Sequence, residues 1–148
     1  MRDRGVVLRL EPLDELRDLA RLLDLPVDQR VGAVGGLAQL KRAQEAATVS
    51  VRPGVTAEGV DQTARQIIDD AGYGEWFIHR TGHGIGLETH EEPYIVEGNA
   101  TRLEDGMAFS IEPGIYPGPH GARIEDIVVC TETGFERMNN GTRELVIV

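Results

Sequence analysis

Apolar positions recur at helical spacing three times in the first half of the chain. Leu13, Leu16, Leu19, Ala20 and Leu23 share one face, which predicts an amphipathic helix over residues 13 to 25 that Pro26 stops. Leu37, Leu40, Ala43, Ala47 and Val51 repeat the pattern from 37 to 51, where Pro53-Gly54 closes it. Thr56 supplies an N-cap hydroxyl for a third helix, with the stripe Val60, Ala64, Ile67, Ile68 and Ala71 and Gly72 as the residue after its C-cap. VDQRVGAVGG, residues 27 to 36, reads as a connection, because Gly32, Gly35 and Gly36 favour turns.

After Gly74 the period drops to two. GEWFIH and EPYIV are short aromatic and β-branched runs, GMAFSIEPGIY alternates around Phe109 and Ile111, and ARIEDIVVCT is the clearest strand. In that strand Arg123, Glu125, Ile127 and Val129 fall on one face, and Ile124, Asp126, Val128 and Cys130 on the other. TETG then predicts a turn and residues 144 to 148 a last short strand. Helices first and strands later, with few helices between strands, predict an α+β fold with a mostly antiparallel sheet.

Composition narrows the function classes. Of 148 residues 41% are apolar, enough for one modest core. Fifteen Lys and Arg against 25 Asp and Glu give a formal charge of −10, which repels nucleic acid and anionic membranes. The single cysteine, Cys130, excludes an internal disulfide framework, and its apolar setting predicts a packed thiol in a reducing compartment. Arg9, Glu11 and Asp14 break up any leader-like apolar run, and no 18-residue apolar stretch occurs, so a cytoplasmic protein with no membrane partner is expected.

Candidate chemistry gathers in HRTGHGIGLETHEEP, residues 79 to 93, which holds three of the four histidines: His79, His83 and His90. His83 lies between Gly82 and Gly84, where a backbone without Cβ atoms could approach an ion or substrate closely. Glu112 stands at a strand end before Pro113-Gly114, and Glu125 stands within the clearest strand beside Arg123. A carboxylate pointing inward from a strand is costly unless it is paired or holds a cation; the alternative is that Arg123 merely neutralises one of the two, or that either points to solvent. One imidazole with two carboxylates suits a divalent ion of the manganese, iron, cobalt or zinc type, and the oxygen-rich balance leans toward manganese. Taken singly, each histidine also fits a surface or structural role, and His120 in YPGPHGAR reads as loop.

HRTGHGIGLETHEEP, then GMAFSIEPGIY, then ARIEDIVV resemble in wording and order the C-terminal catalytic half of the pita-bread metallopeptidases, family M24. The resemblance is strongest to the Xaa-Pro aminopeptidase and prolidase branch. It covers residues 41 to 148, including VRPGVTAEGVD between two helices, and leaves residues 1 to 40 as a divergent helix and linker. It implies a partial pita-bread fold with His83, Glu112 and Glu125 as metal ligands and Glu112 also as partner of the nucleophilic water. His79 and His90 would contact substrate, and Arg123 would support the bridging carboxylate Glu125. The implied activity is metal-dependent hydrolysis of short peptides, of the Xaa-Pro aminopeptidase or dipeptidase type. The family's other two ligands are aspartates in a DxG…DxTR segment. Here Asp3 begins a DxG and Asp14 has the right separation, but DELR stands in place of DxTR. A homodimer or a complementing chain would then complete the site; the alternative is an inactive remnant, fragment or binding domain of the same fold.

Overall fold

The computed structural model describes residues 27–116, 121–139 and 141, with the backbone alone for 27–34. The helix expected over 13 to 25, the strand expected over 144 to 148, and Asp3, Asp14 and His120 lie outside the described residues. The chain divides into two compact units, Met1–Gly35 with Asn140–Val148, and Gly36–Asn139. Everything that follows concerns the second unit, apart from the first turns of its opening helix.

Helix α1 runs Val27–Ser50 and α2 runs Ala57–Asp70. The connection expected over 27 to 36 is therefore helix. Three glycines lower helix propensity without forbidding it, and at Gly36 the missing side chain has a use. A Cβ there would sit 2.7 Å from Ile115 Cδ1, so glycine lets the helix approach that residue closely. The predicted stripe of α1 is the buried one: Leu37, Leu40, Ala43, Ala47 and Val51 are all core residues. On α2, Val60, Ala64 and Ile68 are buried, the Thr56 hydroxyl accepts the Gly59 N–H at 3.2 Å, and Gly72 takes φ +81° just beyond the helix.

The strands are β1 (Gly82–Gly84), β2 (Glu91–Ile95), β3 (Ala108–Ile111), β4 (Gly114–Ile115), β5 (Ala122–Arg123), β6 (Asp126–Thr131) and β7 (Gly134–Arg137). Five of them form one sheet in the order β2-β1-β3-β6-β7, while β4 and β5 pair separately, and every pairing is antiparallel. The architecture is α+β, two helices followed by an antiparallel sheet. Phe109, Ile111, Val128 and Cys130 fill the sheet's buried face and meet the helices in one core.

Three strand expectations are corrected. GEWFIH forms a 3₁₀ turn at Gly74–Trp76 and then irregular chain; its aromatic residues are anchored by packing, with Trp76 donating its N–H to Tyr73 O. ARIEDIVVCT is two strands in two sheets, because the chain leaves β5 at Arg123 and enters β6 at Asp126. Alternation holds within β6, where Asp126, Val128 and Cys130 are buried, and it carries back across the break, with Glu125 and Arg123 exposed and Ile124 half-buried between them. TETG is a turn as expected, with Thr131 opposite Gly134, but it leads into β7, whose sequence GFER shows only one strong strand former.

Candidate active site

β1, the short strand between β2 and β3, is buried along its whole length and carries His83 at its centre. Gly82 and Gly84 flank it for a reason of packing. A Cβ on Gly82 would run into the Ser110 carbonyl, and one on Gly84 into the Glu92 carbonyl. Each glycine therefore admits a neighbouring strand, and neither opens space for a ligand.

His83 is buried, and its Nδ1 lies 3.0 Å from the Gly84 carbonyl oxygen. A carbonyl can only accept, so Nδ1 carries a proton, and in the neutral ring Nε2 then presents its lone pair. That lone pair points at Glu112 Oε1, 3.2 Å away. Ser110 Oγ accepts the His83 N–H at 3.0 Å and donates to the same Glu112 oxygen at 3.0 Å. Two acceptors thus face each other in a nearly dry position, an arrangement that calls for a proton or a cation between them.

The other Glu112 oxygen accepts from Arg123 Nη1 at 3.1 Å, and Arg123 Nη2 reaches Glu125 Oε2 at 3.3 Å. The result is a string, His83–Glu112–Arg123–Glu125, running from the interior to solvent. The Glu112 side chain is 10% exposed whereas those of Arg123 and Glu125 are 50% and 42% exposed. Of the two readings open for Glu125, inward or solvent-facing beside Arg123, the structure shows the second; the inward carboxylate of that segment is its neighbour Asp126. Asp126 Oδ2 accepts from Gln44 Nε2 at 2.9 Å and pairs with Arg137 Nε at 3.5 Å, which fastens α1 to β6 and β7.

An open cleft of about 500 Å³ lies over this string, lined by His79, Arg80, His90, Tyr94, Val96, Glu112 and Arg123. The structure therefore brings His79, His90, Glu112 and Arg123 to one cavity. His90 is exposed, and its ring stands edge-on to that of His83, with centroids 4.4 Å apart. His79 is half-buried between Phe77 and Tyr116, with Nδ1 donating to Arg80 O at 2.7 Å and Nε2 3.2 Å from Tyr116 Oη. Arg80 lies over the Tyr94 ring at 5.0 Å and adds a cation to the cleft wall. Ile78, Ile85 and Leu87 are exposed in the segments flanking these histidines.

Sequence reasoning overlooked Ser110, Tyr116, Arg80 and the buried Asp61. Asp61 and Arg65 do carry a visible signal, opposite charges four residues apart beside the α2 stripe. The others have none, since their roles depend on which strands become neighbours.

The chain belongs to metallopeptidase family M24, whose pattern residues 37–132 match. It is 63% identical over 110 residues to the probable dipeptidase PepE of Mycobacterium tuberculosis, covering 74% of this chain and 29% of that protein. It is 50% identical over 105 residues to the Xaa-Pro dipeptidase of Pyrococcus furiosus, covering 70% of this chain and 30% of that protein. Among solved structures, dipeptidase PepE from Mycobacterium ulcerans superposes with a TM-score of 0.73 at 61% identity, covering 76% of this chain and 31% of that one. An X-Pro aminopeptidase from Thermotoga maritima superposes at 0.74 with 37% identity, covering 96% and 35%. The chain spans about a third of the length of these relatives.

The family implies a divalent metal, and the residues fit one in part. Two ligands bound at about 2.1 Å to one ion stand about 3 Å apart, which is the spacing of His83 Nε2 and Glu112 Oε1. The His83 tautomer, with Nδ1–H donated to a carbonyl, is the one that metal-binding imidazoles use. Among the described residues, however, no three His, Cys, Asp or Glu groups converge on a single point. Arg123 stands between Glu112 and Glu125 as the cation instead.

Proposed function

We propose that this chain carries the C-terminal part of a metal-dependent peptidase site that hydrolyses short peptides of the dipeptide or Xaa-Pro type. The observation that supports it best is the buried pair of facing acceptors, His83 Nε2 and Glu112 Oε1, beneath an open cleft. Membership of family M24, and relatives named dipeptidase and Xaa-Pro dipeptidase, support a peptide substrate of that kind. His83, Glu112 and Glu125 would hold a divalent ion, manganese being favoured by the oxygen-rich donors, with cobalt, zinc or iron the alternatives. Such an ion, when bound, supplies an acidified water and polarises the scissile carbonyl.

The chain's own residues do the rest. Glu112 accepts the proton of the attacking water, and Ser110 and Arg123 hold its two oxygens in place. His90 and His79 line the cleft and hydrogen-bond the substrate, the former from its exposed ring. Arg123, half exposed, stays beside both carboxylates, paired to Glu112 Oε2 and Glu125 Oε2. The ligands still needed for a complete centre come from polypeptide beyond the described residues, within the same chain, a second copy or a complementing one. Nothing in this chemistry requires nucleic acid or a membrane; among the described residues no helix is long and apolar enough to cross one. A cytoplasmic site of action follows from the same proposal.

Equilibrium dialysis of the demetallated full chain against manganese tests it. The expected result is saturable binding that His83→Ala and Glu112→Gln each weaken at least about tenfold, roughly 1.4 kcal/mol. Dipeptide hydrolysis that depends on manganese and is lost in Glu112→Gln would complete the case. Binding that survives both substitutions, or no binding by the wild-type chain, would overturn it in favour of a fold that has shed its chemistry.

A further inference from the structure

Outside the metal-facing string, a buried ion pair on α2 reaches the chain segment that carries His79. Asp61 is fully buried and accepts from Arg65 Nε at 2.9 Å and Arg65 Nη2 at 3.0 Å. Its Oδ1 also accepts from the Thr81 hydroxyl at 2.7 Å and the Thr81 N–H at 3.2 Å. Arg65 continues outward: Nη1 donates to Phe77 O at 3.2 Å and Nη2 to His79 O at 3.1 Å, while its guanidinium covers the Phe77 ring at 4.2 Å. Phe77 in turn meets the His79 ring edge-on, with centroids 5.3 Å apart. Residues 77 to 81 lie outside the strands; Thr81 is tied by backbone bonds to Ile95 O and Glu112 N–H, and the Arg65 bonds are the ones that hold the Phe77 and His79 carbonyls.

The geometry points to Asp61 and Arg65 as positioning residues for the His79 imidazole. They hold the Phe77 and His79 carbonyls and so set the local turn in which Nδ1–H donates to Arg80 O and Nε2 is left for Tyr116 or a substrate. A free imidazole favours the other tautomer, with the proton on Nε2, so the backbone conformation is what selects this one. Only a planar fork such as that of Arg65 spans two carbonyls and one carboxylate at once, whereas a lysine ammonium can satisfy the charge but not the three directions. Thr81 extends the effect, because its carbonyl accepts the Glu112 N–H at 2.7 Å, so the same anchor sets the height of Glu112. The hydrogen bonds to Asp61, and its charge, hold the Arg65 guanidinium above its ordinary pKa.

This inference deepens the peptidase reading, on which the substrate role of His79 rests, but its test does not use hydrolysis. Ring-nitrogen NMR of the full chain at about pH 8, where imidazoles are neutral, distinguishes the two tautomers. The wild type is expected to show His79 protonated on Nδ1. Arg65→Lys should shift His79 toward the Nε2–H form while the exposed His90 keeps its signals. Thr81→Val, which removes one donor to Asp61 and leaves Arg65 in place, should move His79 in the same direction by less. A His79 signal unchanged in whichever of these variants folds overturns the proposal, as does a shift shared equally by His90. Loss of manganese binding in the wild type would count against the peptidase reading and leave this result untouched.

Discussion

Two carboxylates lie at the heart of the molecule, Asp61 on α2 and Glu112 after β3, and their surroundings are opposite in kind. Asp61 receives a donor at each bond, from Arg65 and Thr81, and none of its partners is another acceptor. Glu112 receives Ser110 and Arg123 but also faces the bare lone pair of His83. A fully satisfied buried charge holds the fold together, whereas one left facing an acceptor is incomplete without a cation or proton. Burial alone does not separate the two, since both are nearly inaccessible.

The same chemical change, carboxylate to amide, should therefore have different consequences at the two places. Asp61→Asn forces an amide N–H against donors and strips Arg65 of its counter-charge, so a urea melt should show a loss of about 3 kcal/mol. Gly82→Ala sharpens the contrast from the other side. It lies beside His83, yet its added Cβ meets the Ser110 carbonyl, so a loss of about 2 kcal/mol is expected from packing. Glu112→Gln should change stability by less than about 1 kcal/mol, because the new amide N–H can donate to His83 Nε2 and the exposed Arg123 pair contributes little. A Glu112→Gln loss as large as that of Asp61→Asn would erase the distinction between the clusters.

The smallest effect concerns Cys130, which serves as a reporter beneath the sheet. Burial pushes its thiol pKa up, with Asp105 adding in the same direction, so less of the reactive thiolate forms than in a free thiol. Labelling by a thiol reagent at neutral pH should then be slow and track the fraction of molecules that open. It should accelerate strongly in Asp61→Asn and hardly at all in Glu112→Gln.

How much of this was legible in the sequence follows from the range of the forces involved. The buried stripes of α1 and α2, the Thr56 cap and the Gly72 stop are local, set by helical period and by one hydroxyl or one positive φ, and they could be read directly. The motif segments around His79, His83, His90, Glu112 and Arg123 were also readable, and the fold does bring these residues to the same end of the sheet. Where the reading went astray, a long-range contact had overruled a local preference. Glycines at 32, 35 and 36 suggested a turn, but α1 continues through them, and Gly36 fits against Ile115. Alternation put Glu125 on the face opposite Asp126, where it is found exposed, but the change of sheet between Arg123 and Asp126 could not be read from the continuous pattern.

Side-chain period and motif wording are properties of neighbouring residues, and they were enough for the buried stripes of α1 and α2 and for the α+β order. It took the packed molecule to make Glu112 face His83 while Asp61 is saturated, to join Glu112 to Glu125 through Arg123, and to give Gly82 and Gly84 to strand packing. Those facts depend on which backbone lies across from which, and hydrogen bonds between groups as distant along the chain as Gln44 and Asp126 form only after the sheet has closed on the helices.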